Sequence, residues 1–505
     1  MEDDEMNRAS GILLPVFSLP SPYGIGCFSK EAYQWIDFLA EAGMEYWQIL
    51  PLGPTSYGDS PYQSFSTYAG NPYFIDPDKL IQERYLTRAQ LEEVDKTANP
   101  HDIDYGKIYT DRMLLLRKAY AESKKRNDPD FEFFQRENAW WLNDYALFMA
   151  VKDAFAGAAW NEWSEDIRYR HQAAMEYYQS TYSDEINFYQ WLQYLFAKQW
   201  RSLKGYANEK GIKIIGDIPI YVAFDSADVW ANPSLFQLDE KRNPKAVAGC
   251  PPDGFTADGQ LWGNPLYNWE LHKQTNYDWW VSRMAYCFEL YDVVRIDHFR
   301  GFDEYFSIPA SDSNAKNGHW EKGPGIDLFK TITERLGKKE IIAEDLGYIT
   351  DSVRELVKET GYPNMKVLQF AFDSRDSSGA EDYLPHNYPK NCVCYTGTHD
   401  NETIYGWLSS IQKIERDMVC TYLNRQDAAD TELAHELVRT AVASVANLCI
   451  IPLQDYLVLD NSARINFPSS MGKNWRWRMS AEDMSSELAG RIRMLNQVYG
   501  RVNDK

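Results

Sequence analysis

The sequence predicts an α/β protein built on one (β/α)8 TIM barrel that occupies residues 1–505, with inserted, largely helical subdomains around its C-terminal face. Three observations carry this. Eight short, nearly continuous apolar runs punctuate the chain, the pattern of parallel strands covered on both faces. Amphipathic stretches with helical spacing separate most of them. At 505 residues the chain exceeds one ordinary compact domain but suits a barrel with long insertions.

In order, GILLPVF (11–17) is the first strand and EAYQWIDFLAEAG (31–43) a helix closed by Gly43. EYWQILPLGP (45–54) is the second strand, ending in a Pro/Gly loop. A detour over 70–190, rich in Trp, Tyr and charge, is too long for a loop and reads as an inserted helical subdomain. The strand rhythm resumes at 211–222, 291–301, 339–347, 364–372, 391–403 and 446–457. Between the first two of these, residues 232–267 are Pro/Gly-punctuated and almost without periodicity, which predicts an irregular, lid-like insertion over the C-terminal face. A doubly wound sheet is the competing architecture, but no Gly-rich phosphate turn follows the first strand.

Net charge is −22, from 52 Lys+Arg against 74 Asp+Glu. That disfavours nucleic acid and anionic membrane surfaces as partners and favours a neutral or cationic substrate. Aromatics make up 15%, and Tyr and Trp combine a flat apolar face with a polar edge, which suits sugar rings. The seven cysteines are odd in number with no CxxC or Cys/His metal spacing, so neither a disulfide framework nor a metal site is expected. The acidic start MEDDEMNRASG resembles no signal or transit peptide, and no apolar run is long enough to span a membrane. Together these predict a cytoplasmic protein.

Barrel active sites collect residues from the C-terminal ends of several strands. The strand at 211–222 offers Asp217; that at 291–301 offers Arg295, Asp297, His298 and Arg300. The strand at 339–347 offers Glu344 and Asp345, and that at 391–403 offers Thr398, His399, Asp400, Asn401 and Glu402. Arg295 and Asp297 are two apart, so on a strand they share a face, and the guanidinium is expected to keep Asp297 ionised. Glu344, buried near a second carboxylate, is expected to hold its proton. One ionised and one protonated acid facing each other are the parts of a glycoside-cleaving site.

The chain resembles the 4-α-glucanotransferases of the amylomaltase (disproportionating enzyme) type within the α-amylase superfamily. The resemblance rests on YGDSPYQSFSTYAGNP (57–72), GDIPIYVAFDSADVW (216–230), GCPPDGFTADGQLWGNPLY (249–267), VRIDHFRGF (294–302), IAEDLG (342–347) and TGTHDNET (396–403), in this order over nearly the whole length. It implies a retaining transferase acting on maltooligosaccharides and on starch- or glycogen-derived glucans, with no cofactor and no metal. It implies Asp297 as nucleophile, Glu344 as acid/base and Asp400 as the carboxylate that distorts the sugar. Arg295, His399, Asp217 and His298 are implied around the reacting sugar. Tyr57 and Tyr62 match a loop beside the acceptor subsites; Asp253 and Gln260 lie in the covering stretch; Asn466 lies in a returning C-terminal segment. The alternative, an α-glucan hydrolase of the amylase type, fits less well because DIPIYV lacks the Asn-His pair that follows the Asp in amylases. A non-catalytic glucan-binding barrel would have lost at least one of the three acids, and none is missing.

Overall fold

The computed structural model describes residues 8–502 apart from 57, 95–98, 253–256, 348, 376–379, 469 and 471. The described residues contain twelve strands: β1 (Ala9–Leu13), β2 (Tyr46–Gln48), β3 (Lys213–Pro219), β4 (Ala246–Cys250), β5 (Gln260–Pro265), β6 (Val293–Asp297), β7 (Glu304–Pro309), β8 (His319–Lys322), β9 (Ile341–Ala343), β10 (Asn364–Val367), β11 (Cys392–Tyr395) and β12 (Leu448–Pro452). Eight of them close into a parallel barrel in the order β1-β2-β3-β6-β9-β10-β11-β12. Each of the eight predicted runs overlaps one of these strands, β1 beginning two residues before its run.

Strand alternation sorts the apolar residues into two layers. Ile215, Val293, Ile342, Val393, Tyr395, Leu448 and Ile450 fill the lumen, while Ile214, Val294, Ile296, Cys394 and Cys449 face the surrounding helices. The inward row of β6 is therefore Val293, Arg295 and Asp297: apolar in the lumen and charged where the strand leaves it. Gly216 on β3 lets the Tyr291 ring lie against the strand, since a Cβ there would meet the ring at 2.2 Å.

Between β2 and β3 the chain is helical, from Pro77–Gln82 to the long helix Ser183–Glu209. Local chemistry sets several starts. Asp76 and Asp128 each cap a helix by accepting backbone N–H bonds, with Pro77 and Pro129 in the first turn. The helix Ser183–Glu209 delivers the chain to β3 and packs on helix Lys30–Glu41.

Residues 232–267, irregular by sequence, contain β4 and β5. These pair antiparallel and join β7 and β8 in a four-stranded sheet of order β5-β4-β7-β8. Gly249, Gly263 and the register shift between Val247 and Gly249 break the alternation that would have revealed these strands. The sheet lies beside the exit of β6, because β7 begins just after the turn Phe299–Phe302.

Candidate active site

A cavity of about 1000 Å³ opens at the C-terminal end of the barrel. Arg295, Asp297, His298, Glu344, His399, Asp400, Asn466, Tyr62 and Gln260 all line it. Asp217 lies just beneath, fully buried. Tyr57 and Asp253 lie outside the described residues.

Cross-strand register assembles the floor. Asp217 on β3 pairs with Arg295 on β6, and Pro219 with Asp297. The Arg295 guanidinium donates to both Asp217 oxygens at 2.7 Å and reaches Asp297 Oδ1 at 3.0 Å. Arg295 and Asp217 are almost wholly buried, whereas the Asp297 side chain is 30% exposed to the cavity. The cation is thus locked by one carboxylate and shared with the one that faces outward.

Glu344 directly follows β9, which pairs with β6 through Ile296 and Ala343. Asp297 and Glu344 are the next residues on each strand, so the two acids leave neighbouring strands side by side. Glu344 Oε2 accepts from the His298 backbone N–H at 2.6 Å, and Oε1 from that of Leu346 at 2.7 Å. His298 is left-handed, with φ 54°, an unusual conformation for a residue other than glycine. That turn aims its N–H at Glu344. Its ring stands edge-on to Trp262, centroids 4.8 Å apart, and its Nε2 is buried without a hydrogen-bond partner.

Burial, reinforced by the Asp297 charge, pushes Glu344 up to about 8; Arg295 and the two backbone N–H groups oppose it. Burial also pushes Asp297 up to about 6, against the pull of Arg295, with Asp217 and Asp400 adding to the rise. The expectation that Arg295 would keep Asp297 low is corrected here, because burial, with the Asp217 charge adding to it, outweighs the guanidinium. The order of the two acids is as expected: Asp297 ionises first.

The loop after β11 forms another wall. Tyr62 donates its hydroxyl to Asp217 Oδ2 at 2.8 Å, lies 2.9 Å from His399 Nε2 and stacks on the His399 ring. Tyr62 therefore belongs to the charge cluster itself. His399 Nε2 is 3.3 Å from Asp400 Oδ2. Asn466 donates to Asp400 Oδ1 at 2.5 Å, and Arg464 to the Asp400 carbonyl at 2.7 Å. Along β5, Gln260, Trp262 and Asn264, two residues apart, all reach the cavity. Among the described residues no group of three or more His, Cys, Asp or Glu side chains could hold a metal ion.

The sequence profile of the 4-alpha-glucanotransferase family matches residues 14–484. The chain belongs to this family. It is 49% identical to a 4-alpha-glucanotransferase of Clostridium butyricum over 488 residues, covering 96% of this chain and 99% of that one. It is 44% identical to the 4-alpha-glucanotransferase of Thermus thermophilus, covering 99% and 100%. The solved amylomaltase from Streptococcus agalactiae in complex with acarbose superposes with a TM-score of 0.94 at 42% identity, covering 98% and 100%. The amylase-type hydrolase alternative is not favoured by these matches.

Arg464, Asn264 and Asp455 escaped the sequence reading. Asn264 sits on a strand hidden by glycines. Arg464 and Asp455 belong to the segment after the last barrel strand and gain meaning only from what they hold. Asp345, a strand-end acid beside Glu344, turns the other way and accepts from Asn364 Nδ2 at 3.0 Å and the Met365 N–H at 3.1 Å.

Proposed function

We propose that the chain transfers α-1,4-glucan segments between maltooligosaccharides with retention of configuration, through a covalent β-glycosyl intermediate on Asp297. The observation that carries this is the paired exit of Asp297 and Glu344 from β6 and β9. Neighbouring strands lie about 4.8 Å apart, which suits direct attack by a carboxylate and leaves little room for an intervening water.

In the first step Glu344 gives its proton to the glycosidic oxygen while Asp297 attacks the anomeric carbon. The carbon–oxygen bond breaks and the leaving glucan departs as an alcohol. In the second step Glu344, now ionised, takes the proton of an acceptor 4-hydroxyl, which displaces Asp297. The transition state carries positive charge on the sugar, and Asp297 and Asp400 are the acids that face it. Arg295 and Asp217 hold Asp297 in place; His399, Tyr62 and Asn466 hold Asp400 and the sugar. Gln260, with His298 and Trp262, borders the reacting sugar from the β5 side.

Transfer requires that an acceptor sugar outcompete water at the intermediate. The 232–267 insertion acts as the shelter, with Asp253 assigned to it, and Tyr57 to the loop beside the acceptor subsites, by resemblance. Starch- and glycogen-derived chains are the donors. The site works without cofactor or metal. The protein acts in the cytoplasm, a placement supported by seven free cysteines, six of them buried. No helix among the described residues is long and apolar enough to cross a membrane.

Incubation with maltotriose, with products resolved by chain length, tests the proposal. A ladder of longer and shorter maltooligosaccharides plus glucose, with little gain in reducing ends, is expected. A steady rise in reducing ends with no longer products would overturn it.

A further inference from the structure

We propose that Asp455 is a positioning residue for the reaction: it fastens both feet of the loop 396–404, which carries His399, Asp400 and Glu402. Asp455 lies in the short helix Leu453–Tyr456, immediately after β12, and is 1% exposed. One carboxylate oxygen accepts from the Ile404 backbone N–H at 2.7 Å. The other accepts from the Thr396 hydroxyl. Thr396 follows β11 directly, and Ile404 opens the helix Ile404–Ser410. The two bonds therefore bracket the loop at its start and at its end.

A buried carboxylate is costly unless its oxygens are satisfied. Asp455 has no ion-pair partner among the described residues, and burial pushes it up to about 6 while its two hydrogen bonds pull it back. Placing an acid there, where an apolar side chain would fill the space more cheaply, makes sense if its two acceptor oxygens are needed. Asp455 is absent from the cavity wall, so its effect on the reaction must pass through the loop.

The rest of the segment acts on the same loop. Asn461 donates to Glu402 Oε1 at 2.6 Å, Arg464 to the Asp400 carbonyl, and Asn466 both to Asp400 Oδ1 and, from its backbone, to the His399 carbonyl at 3.1 Å. Within the loop, Asn401 Oδ1 accepts from the Thr398 N–H and hydroxyl. Asn461, Arg464 and Asn466 steady its crest; Asp455 sets the height and tilt of the whole turn. Freeing the feet would let Asp400 drift from the reacting sugar, and displacement of a reacting-site group by about 1 Å costs rate on the order of 100-fold.

This inference rests on the proposed role of Asp400, so the test reads the clamp and its consequence separately. Hydrogen exchange of the full-length protein reads the clamp: Asp455→Ala should lose protection at the Ile404 amide and across 396–404 while the barrel strands keep theirs. Maltotriose kinetics read the consequence. Asp455→Ala should lower kcat by about 10- to 100-fold, with the same kcat-against-KM pattern as Asp400→Asn. The double variant should be no slower than the slower single variant. Asp455→Asn, which can accept from Ile404 and donate to the Thr396 oxygen, should restore most of the rate. Should Asp455→Ala fail to fold, Thr396→Val removes one foot with little change of shape and should show a smaller loss of the same kind. Unchanged exchange at 396–404 in a folded variant overturns the clamp. Normal kcat with a loosened loop, or additive losses in the double variant, overturns the positioning role. If Asp400→Asn is itself fully active, the reading of the site fails, and the exchange data still judge the clamp.

Discussion

The proposed first step needs Asp297 and Glu344 in opposite protonation states, and the structure separates them in that order. As the proposed nucleophile Asp297 acts only when ionised, so activity should fall as pH drops through about 6. As the proposed acid Glu344 acts only when protonated, so activity should also fall as pH rises through about 8. The profile of kcat/KM should be a bell whose limbs belong to the pair rather than to either acid alone; a flat profile between these values would contradict the assignment. Stability carries an independent signature. Both groups titrate higher folded than unfolded, so the stability each contributes is complete below its unfolded value and is lost as pH rises through its folded value. Glu344→Gln should therefore be inactive yet melt above the parent at about pH 9, where the parent must hold a buried charge. An equal or lower melting temperature there would mean that Glu344 is not raised. Asp297→Ala should lose turnover by orders of magnitude with its fold intact, and Asp297→Asn should still bind maltooligosaccharide by calorimetry. At this scale the sequence was informative where strand alternation decides, as for Arg295 beside Asp297. It was silent where the third dimension decides: that one nitrogen of Arg295 donates to both oxygens of Asp217, and that burial beside the Asp217 charge raises Asp297, depends on residues 78 positions apart.

At the scale of elements, the eight barrel strands were legible because they are buried on both faces and read as apolar runs. β4 and β5 were not. Their glycines, the bulge and the half-exposed faces erase the two-residue period, and the second partner of β4, β7, lies further along the chain, beyond β6. Yet this small sheet decides what borders the site. β5 sends Gln260, Trp262 and Asn264 to the cavity, and Asn264 is anchored by its bonds with Gln63 and the Val222 carbonyl. Trp262 donates to Gln260 and meets the His298 ring edge-on. The wall is therefore stiff on one side and backed by the turn that follows Asp297. If it shelters the intermediate from water, Trp262→Ala should lower transfer and raise hydrolysis, increasing reducing-end release relative to longer products by several-fold from the same maltotriose. A variant that loses both reactions in equal proportion would show that Trp262 serves binding alone.

On the scale of the whole molecule, a barrel must close, and here the seam between β1 and β12 joins the two ends of the chain. The closure uses buried arginine as a backbone clasp. Arg501 is fully buried and donates to five carbonyls: those of Ala9, Val442, Ser444, Ala446 and Asn447. Arg8 adds bonds to the carbonyls of Tyr499, Ala446 and Val442. Arg478 does similar work further along, tying residues 476–479 to the carbonyls of Leu19 and Ser21. In a chain of net charge −22, Arg501 sits fully inside and its guanidinium is met by peptide carbonyls. Arg501 joins the carbonyl that precedes Ser10 on β1 to the turn that feeds β12, so it holds the entrance of both seam strands. Arg501→Met keeps much of the side-chain volume but removes five hydrogen bonds from a buried charged donor, although the carbonyls of Val442 and Ala446 keep Arg8 and that of Asn447 keeps the Ala9 N–H; bonds to charged groups contribute about 1.5–3 kcal/mol each. The loss should therefore be at least about 3 kcal/mol. Arg501→Lys, a point charge with three donors, should recover only part of it. Because the seam is remote from the cavity, kcat of the surviving folded enzyme should stay near the parent value while the melting temperature falls. A melting temperature for Arg501→Met within about one degree of the parent would mean that the seam closes on its ladder alone and that the guanidinium is only a lodger there.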